Sequence, residues 1–426
     1  MASIARSHEP QLHPAIQHLA GEIVDVDSHE MTPVQFWSRQ YGADEVVVDL
    51  ADHFTAVHDG ELINVPGFER DDRSIDVSNI WALKGGRAPG AVDPARRTEV
   101  MDAMGVRRQL VYSSGPGHFG LFLHSDPPKN GFYPASEGEA RFLQGRRLLD
   151  AANSFAQRAS TQSDRVRGVG YVYGQTVDEL MSVTRRLLAG GIRSVTLAPA
   201  VLPGGVSPAH SDLDPFWSLL EENDVSASIH GVADQGFLAT RGWGDAPFFQ
   251  GYSIFHEFDF SPWALSTVHL PPQNFVATMV VGGVFERHPR LRFGAIELGA
   301  YWIGQLAFNL DLWHKQNNKL FTKIEVDSSK STEEAQVESD IRVQRLPELP
   351  SFYINRNIRV SAFDFEHVDK YIEQYGLEDV YCFSSDYPHV EGGRNPMGVH
   401  AERLQRLGPD IIEKFFVTNG SWLLPG

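Results

Sequence analysis

Short runs of β-branched and aromatic residues recur along the chain, separated by segments whose apolar positions fall three and four apart. The runs are "IVDVD" (23–27), "RQLVYSS" (108–114), "VRGVGYV" (166–172), "IRSVTL" (192–197), "VSASIH" (225–230), "LRFGAIE" (291–297), "NIRVSAF" (357–363) and "VYCFSSD" (380–386). Amphipathic helical patterns lie between them at 139–161, 176–190, 277–288, 301–316 and 366–376. Strands alternating with helices predict parallel β/α units. Eight units closing on themselves form a (β/α)8 TIM barrel, an α/β fold whose chemistry sits at the C-terminal strand ends. An open doubly wound sheet is the alternative, but no Gly-rich dinucleotide fingerprint follows the first run.

A barrel needs only roughly 250 residues, so a chain of 426 carries insertions. The reading is an N-terminal tail at 1–21 and one barrel domain at 22–426. Insertions are expected near 38–93, 231–274 and 315–350. The first two leave from strand ends on the active-site face and are placed to form a lid. The third is polar and reads as an exposed arm.

Composition narrows the partners. A hydrophobic fraction of 42% and a charged fraction of 22% describe an ordinary globular protein. The formal charge of −18 opposes binding to nucleic acid or to an anionic membrane surface. No apolar run is long enough to span a bilayer, and no signal-peptide pattern opens the chain, so a cytoplasmic location is expected. The one cysteine, Cys382, excludes an intrachain disulfide and a Cys-based zinc site. It sits in an apolar run and reads as a packed thiol.

Polar residues then cluster at the predicted strand ends. The first run ends in Asp27-Ser28-His29, with Asp25 two places earlier. The fifth ends in His230, the sixth in Glu297 and the eighth in Asp386. Carboxylates and imidazoles together suit one divalent ion, zinc or manganese. Each residue also has a plainer role. Asp27 and Asp386 can form turns, His230 can hydrogen-bond a loop, and Glu297 can cap the helix near Tyr301. Their joint fall on four strand ends favours the metal. The fourth run continues into Leu197-Ala198-Pro199 with no lysine, which a carbamate-bridged two-metal site would need.

Other residues near these ends are candidates for substrate contact. His118 and His124 follow the second run, and His256 and Trp263 lie in the insertion after the fifth. His389 and Arg394 follow Asp386, where an arginine can pair with a carboxylate through two hydrogen bonds. Trp302 and Trp313 read as packing residues at the ends of the 301–316 helix.

Several blocks taken in order resemble the amidohydrolase superfamily, in the branch of aminocarboxymuconate semialdehyde decarboxylase. "VDVDSHEMTP" resembles that family's opening His-x-His with Asp27 in place of the first histidine. "RTEVMDAMGVRRQLVYSS" and "NSFAQRASTQSDRVRGVGYV" are similar to its second and third blocks. "DPFWSLLEENDVSASIHG", "FERHPRLRFGAIELGAYWIGQL" and "CFSSDYPHVEGG" are similar to the fifth, sixth and eighth. The resemblance places Asp27, rather than Asp25, in the first ligand position. It implies one divalent metal ion held by Asp27, His29, His230 and Asp386, and a homodimer. Glu297 stands where the family often has an acid/base histidine, so it is either proton shuttle or further ligand.

The resemblance implies nonoxidative decarboxylation of an aromatic or unsaturated carboxylic acid, with Asp386 or Glu297 protonating the carbon that loses carbon dioxide. Hydrolysis of an amide, ester or lactone, or hydration of a double bond, is the alternative, with Glu297 as base. A barrel that only binds a metal or ligand is the third reading. In every case the expected partner is a small molecule.

Overall fold

A computed structural model of the chain describes residues 10–32, 71–77, 79–125, 139–200, 202–231, 245–249, 261–326, 346–389 and 391–424. Ten strand segments lie in it. They are β1 (Ile23–Asp25), β2 (His29–Glu30), β3 (Val106–Ser113), β4 (Val166–Gly168), β5 (Gly170–Tyr171), β6 (Ser194–Thr196), β7 (Ser226–His230), β8 (Phe293–Ile296), β9 (Ile358–Ser361) and β10 (Tyr381–Cys382). β1 and β2 are halves of one interrupted strand, and β4 and β5 of another, so ten segments make the eight expected strands. Every expected run overlaps its strand, although β3 begins two residues before its run and β2 lies just beyond the first run.

All ladders are parallel, and each strand pairs with its sequence neighbours. The ring closes where the chain's first and last strands meet. Val26 N donates to Phe383 O (3.2 Å), Asp386 N to Asp27 O (2.9 Å) and His29 N to Tyr387 O (2.7 Å), around a parallel bridge from Ser28 to Tyr387. The architecture is the (β/α)8 barrel, with predicted helices outside it at Glu139–Gln162, Val177–Ala189, Tyr301–Val326 and Val368–Tyr375; the pattern at 277–288 is instead divided between Leu270–Val281 and Val284–Arg287, with Gly283 in left-handed backbone between them.

Strands buried on both faces explain why the runs are nearly continuous in apolar residues. One cluster lines the barrel interior, with Val24, Val26, Leu110, Tyr112, Val169, Ile296 and Cys382 meeting Leu423 and Leu424 of the C-terminal segment. The larger cluster joins the outer strand faces to the helices and includes Trp217, Phe285 and Phe293. Cys382 is fully buried, and its thiol donates to Val360 O. Within the expected tail, Pro14–Leu19 forms a 3-10 helix that buries Ile16 and Leu19 in the larger cluster.

Helix Tyr301–Val326 runs past 315, so any arm begins beyond Val326. Residues 33–70, 232–244, 250–260 and 327–345 hold most of the three expected insertions, so the lid and arm expected from them fall outside the described residues. Trp302 packs in the core as expected, whereas Trp313 is 66% exposed. Position 313 is in phase with the buried Trp302 and Leu306, but it lies in the stretch 311–318, where no residue of the helix is buried, so its indole meets solvent in the single chain.

Two buried carboxylates fix the loops that carry the site. Asp25 accepts from Ser385 N (2.9 Å), Ser385 Oγ (2.5 Å), Gln109 Nε2 (2.7 Å) and Asp27 N (3.2 Å). It thereby joins the first, second and last strands. Burial pushes its carboxyl up to about 6, against the pull of Ser385 and Gln109. Glu366 accepts from Ala300 N (2.9 Å), Tyr301 N (3.0 Å) and Phe363 N (2.9 Å). It therefore caps helix Tyr301–Val326, the role that Glu297 could have filled, and ties the loop after β8 to the loop after β9.

Asp25→Ala leaves four donors facing an apolar side chain, each costing about 1–3 kcal/mol if unmatched. Chemical denaturation is expected to show a loss on the order of 3 kcal/mol or more, with Glu22→Ala, whose partner is an exposed arginine, near neutral.

Candidate metal centre

Asp27 and His29 flank the break between β1 and β2, where the strand leaves its ladder. His230 closes β7, Glu297 follows β8 and Asp386 lies beyond β10. Glu297 and Asp386 both adopt left-handed backbone, with φ of 57° and 49°. Such a conformation costs a non-glycine residue about 1–3 kcal/mol, and it recurs at functional sites. At both positions the chain turns just after a strand and brings the carboxylate to the mouth.

The five residues converge. His29 Nε2 lies 3.3 Å from Asp27 Oδ1, 3.3 Å from Asp386 Oδ1 and 3.9 Å from Glu297 Oε2. His230 Nε2 lies 3.0 Å from Asp27 Oδ1 and 3.4 Å from Glu297 Oε2. Donor atoms of Asp27, His29, His230 and Glu297 all fall within 4.8 Å of one another, as do those of His29, Glu297, Asp386 and His389. The two sets share His29 and Glu297. Of the cluster's buried side-chain atoms, His29 Nε2 and Asp386 Oδ2 have no hydrogen-bond partner among the described residues. Two orphaned polar atoms in one buried cluster of oxygen and imidazole donors fit a divalent cation.

Burial and like charge set the protonation pattern. Burial raises Glu297 to about 8, helped by repulsion from Asp386. Asp27 is also pushed well up, by burial first and then by Asp386 and Asp25. Burial alone would raise Asp386 too, but His389 and His29 outweigh it and hold it at about 2. His389 shows the converse: burial opposes its charge, and Asp386 more than compensates, so its pKa rises. Burial and the neighbouring histidines push His230 far below its usual range and His118 down to about 4.

Of the residues expected to meet substrate, His389 and His118 join the cluster. The turn from Asp386 to His389 (His389 N to Asp386 O, 2.8 Å) folds the ring back, placing Nδ1 2.9 Å from Asp386 Oδ1 and 3.2 Å from Glu297 Oε1. His118 Nε2 lies 3.3 Å from His230 Nδ1. Gly231 makes this approach possible, because a Cβ there would stand 2.3 Å from His118 Nε2. Arg394 is exposed and His124 packs against Phe142 and Tyr173; neither belongs to the cluster. Trp263 is half-buried on the short helix Pro262–Thr267, and His256 lies outside the described residues.

The structure adds residues that the strand-end argument passed over. Tyr112 stacks on His230 with ring centroids 3.7 Å apart. Ser114 Oγ lies 2.9 Å from His29 Nδ1 and 3.2 Å from His389 Nε2. Both stand in "VYSS", the end of the second run, which was the available signal.

A family model described as Amidohydrolase matches residues 137–424, well over half of the chain. The chain belongs to the amidohydrolase family. The match includes His230, Glu297, Asp386 and His389, while Asp27 and His29 precede it. This amidohydrolase has no match among curated proteins. Its fold is similar to that of an amidohydrolase from Mycobacterium avium subsp. paratuberculosis, with a TM-score of 0.59 and 18% identity over 95% of this chain and 99% of that one. It is also similar to 5-carboxyvanillate decarboxylase from Sphingomonas paucimobilis (TM-score 0.56, 14% identity, 95% and 99% covered). The 5-carboxyvanillate decarboxylase from Novosphingobium aromaticivorans, solved with manganese and 4-hydroxy-3-methoxy-5-nitrobenzoic acid, has a TM-score of 0.54 at 17% identity, with 98% and 99% covered. Among the described residues of the amidohydrolase, no helix is long and apolar enough to cross a membrane.

Metal ligands must shed protons before they bind. Because burial, Asp386 and Asp25 hold the Asp27 carboxyl above the usual carboxylate range, manganese affinity measured by calorimetry is expected to rise with pH as Asp27 gives up its proton and then to level off. His29→Ala or Asp27→Ala is expected to weaken it more than about 100-fold, a larger loss than an outer-shell substitution causes. Arg394→Ala should leave it unchanged.

Proposed function

We propose that this amidohydrolase is a metal-dependent, nonoxidative decarboxylase of an aromatic carboxylic acid bearing a neighbouring hydroxyl or carbonyl oxygen. The reading is carried by one observation. Two carboxyls share a buried mouth, with His389 Nδ1 2.9 Å from Asp386 Oδ1 and 3.2 Å from Glu297 Oε1; burial favours the protonated form of Glu297, and His389 and His29 favour the ionised form of Asp386. Such a split separates an acid from a ligand. Asp27, His29, His230 and Asp386 are therefore assigned to one divalent ion, manganese or zinc, and Glu297 to the proton. The carboxyvanillate decarboxylase solved with manganese supports the choice of manganese.

The ion, when bound, supplies fixed positive charge that attracts the substrate's carboxylate and polarises the oxygen beside it. Glu297 then gives its proton to the ring carbon that bears the carboxylate. The carbon–carbon bond breaks, carbon dioxide leaves, and the electron pair returns to the ring. His389 Nδ1, 3.2 Å from Glu297 Oε1, stands where it can restore that proton. Tyr112 and the buried strand ends exclude water around His230, which keeps the charges strong.

His118 and His389 are assigned to substrate contact because they stand in the cluster, and Trp263 and His256 to the outer pocket. Arg394 is exposed, so it would meet a substrate carboxylate only at the rim. The enzyme is further assigned to the cytoplasm as a homodimer. Support for the second copy comes from Phe308, Leu312 and Trp313, large apolar side chains more than half exposed on one helix. The hydrolase reading uses the same residues with Glu297 as the base, a role that the burial favouring its protonated form works against.

With manganese and a panel of hydroxylated benzoates that includes 5-carboxyvanillate, release of carbon dioxide is expected. Glu297→Gln should retain manganese yet lose about 100-fold or more in turnover, the usual scale for removing a general acid. Silence on every benzoate, with turnover of ester or lactone probes, would replace decarboxylation by hydrolysis. Failure to bind any divalent ion would leave only the non-catalytic barrel.

A further inference from the structure

A single hydroxyl sits between the two rings on which the metal centre turns. Ser114 is the first residue after β3, held by its amide donating to Glu30 O (3.4 Å), and it is half-buried. Its Oγ lies 2.9 Å from His29 Nδ1 and 3.2 Å from His389 Nε2. The two imidazoles lie face to face, 3.8 Å between centroids and 30° apart in plane. One oxygen therefore touches the outer nitrogen of each ring while their other nitrogens face the carboxylates.

We infer that Ser114 is a positioning residue, whose hydroxyl oxygen accepts hydrogen from His29 Nδ1 and thereby commits the Nε2 lone pair of His29 to the metal ion. This rests on the metal reading of the site given above. Neutral imidazole carries one hydrogen, on either nitrogen. Among the described residues His29 Nε2 is buried without a hydrogen-bond partner, and it faces Asp27 Oδ1 and Asp386 Oδ1, each at 3.3 Å. To ligate through that atom, His29 must carry its hydrogen on Nδ1, and Ser114 Oγ is the acceptor at hydrogen-bond distance there. A second lone pair of the same oxygen meets His389 Nε2, so the serine sets the angle of both rings at once. A ligand histidine whose other nitrogen has a partner is held in tautomer and orientation, and loss of such a partner typically weakens metal binding 10- to 100-fold.

The inference also accounts for the choice of residue. The hydroxyl must approach two stacked rings from the end of a strand, and serine is the smallest side chain that offers an oxygen. Alanine at 114 leaves the Nδ1 hydrogen of His29 buried with no acceptor, while threonine keeps the oxygen.

The test uses the full chain loaded with zinc, which permits nuclear magnetic resonance. Protein carrying 15N-labelled histidine is compared as wild type, Ser114→Ala and Ser114→Thr, with the His29 signals assigned through His29→Gln. The expected wild-type pattern is hydrogen on His29 Nδ1 with Nε2 bound to zinc. Ser114→Ala should lower zinc and manganese affinity about 10- to 100-fold and lose the single His29 tautomer when metal is removed. Ser114→Thr should restore both. A merely structural serine would lower the melting temperature of the metal-free protein and leave tautomer and affinity as they were, and that result overturns the inference. So does zinc bound through His29 Nδ1. A wild-type protein that takes up no zinc or manganese overturns the metal reading itself, and this inference with it. Normal uptake that Ser114→Ala does not change overturns the positioning role alone.

Discussion

The seam between the first and last strands is the contact on which the site depends. Asp27 and His29 sit at one end of the chain, and Asp386 and His389 near the other. They meet because backbone hydrogen bonds join 26–29 to 383–387 and because Asp25 holds Ser385 and Gln109 from the opposite side. A buried carboxylate with four donors is expensive to misplace, since each unmatched donor would cost about as much as the bond is worth or more. Asp25 thus specifies the register of the seam, and register decides which side chains reach the mouth.

Closure crowds charge. Asp27, Glu297 and Asp386 lie together out of water, where like charges repel strongly and desolvation penalises each ionised form. The site resolves the conflict unequally. His389 folds back on Asp386 and keeps it ionised, while Glu297 and Asp27 are driven toward their protonated forms. Imidazoles of His230 and His118, pushed down by burial and by the nearby His29 and His389, favour their neutral forms and therefore keep lone pairs. The result is a set of donors that a dication would organise, with one proton left on a carboxyl beside it.

Much of this was legible beforehand because the barrel has a simple grammar. Apolar runs of strand length mark the strands, and their last residues mark the mouth. Asp27, His29, His230, Glu297 and Asp386 could be picked out without knowing any distance, as could the packed thiol of Cys382. Glu366 could not, because nothing in "FDFEHV" signals that its carboxylate reaches back some sixty-five positions to Ala300 and Tyr301. Trp313 misled for the opposite reason. Its aromatic character and its phase with Trp302 and Leu306 suggest burial, but by position 313 the helix has run beyond its buried stretch.

The sequence by itself determined the class of fold, the order of the strands, and the residue types available at each strand end, since these follow from local pattern and period. Asp25 and Asp27 show where that reasoning stopped. Spacing of two assigns them to the same side of a regular strand, yet the strand breaks between β1 and β2. One carboxylate pins the seam while the other faces the histidines. Only the tertiary structure decided this, along with the place of Ser114 between His29 and His389 and the unequal protonation of Glu297 and Asp386. Each depends on distances and burial among residues far apart in the chain, and local propensity carries no information about either.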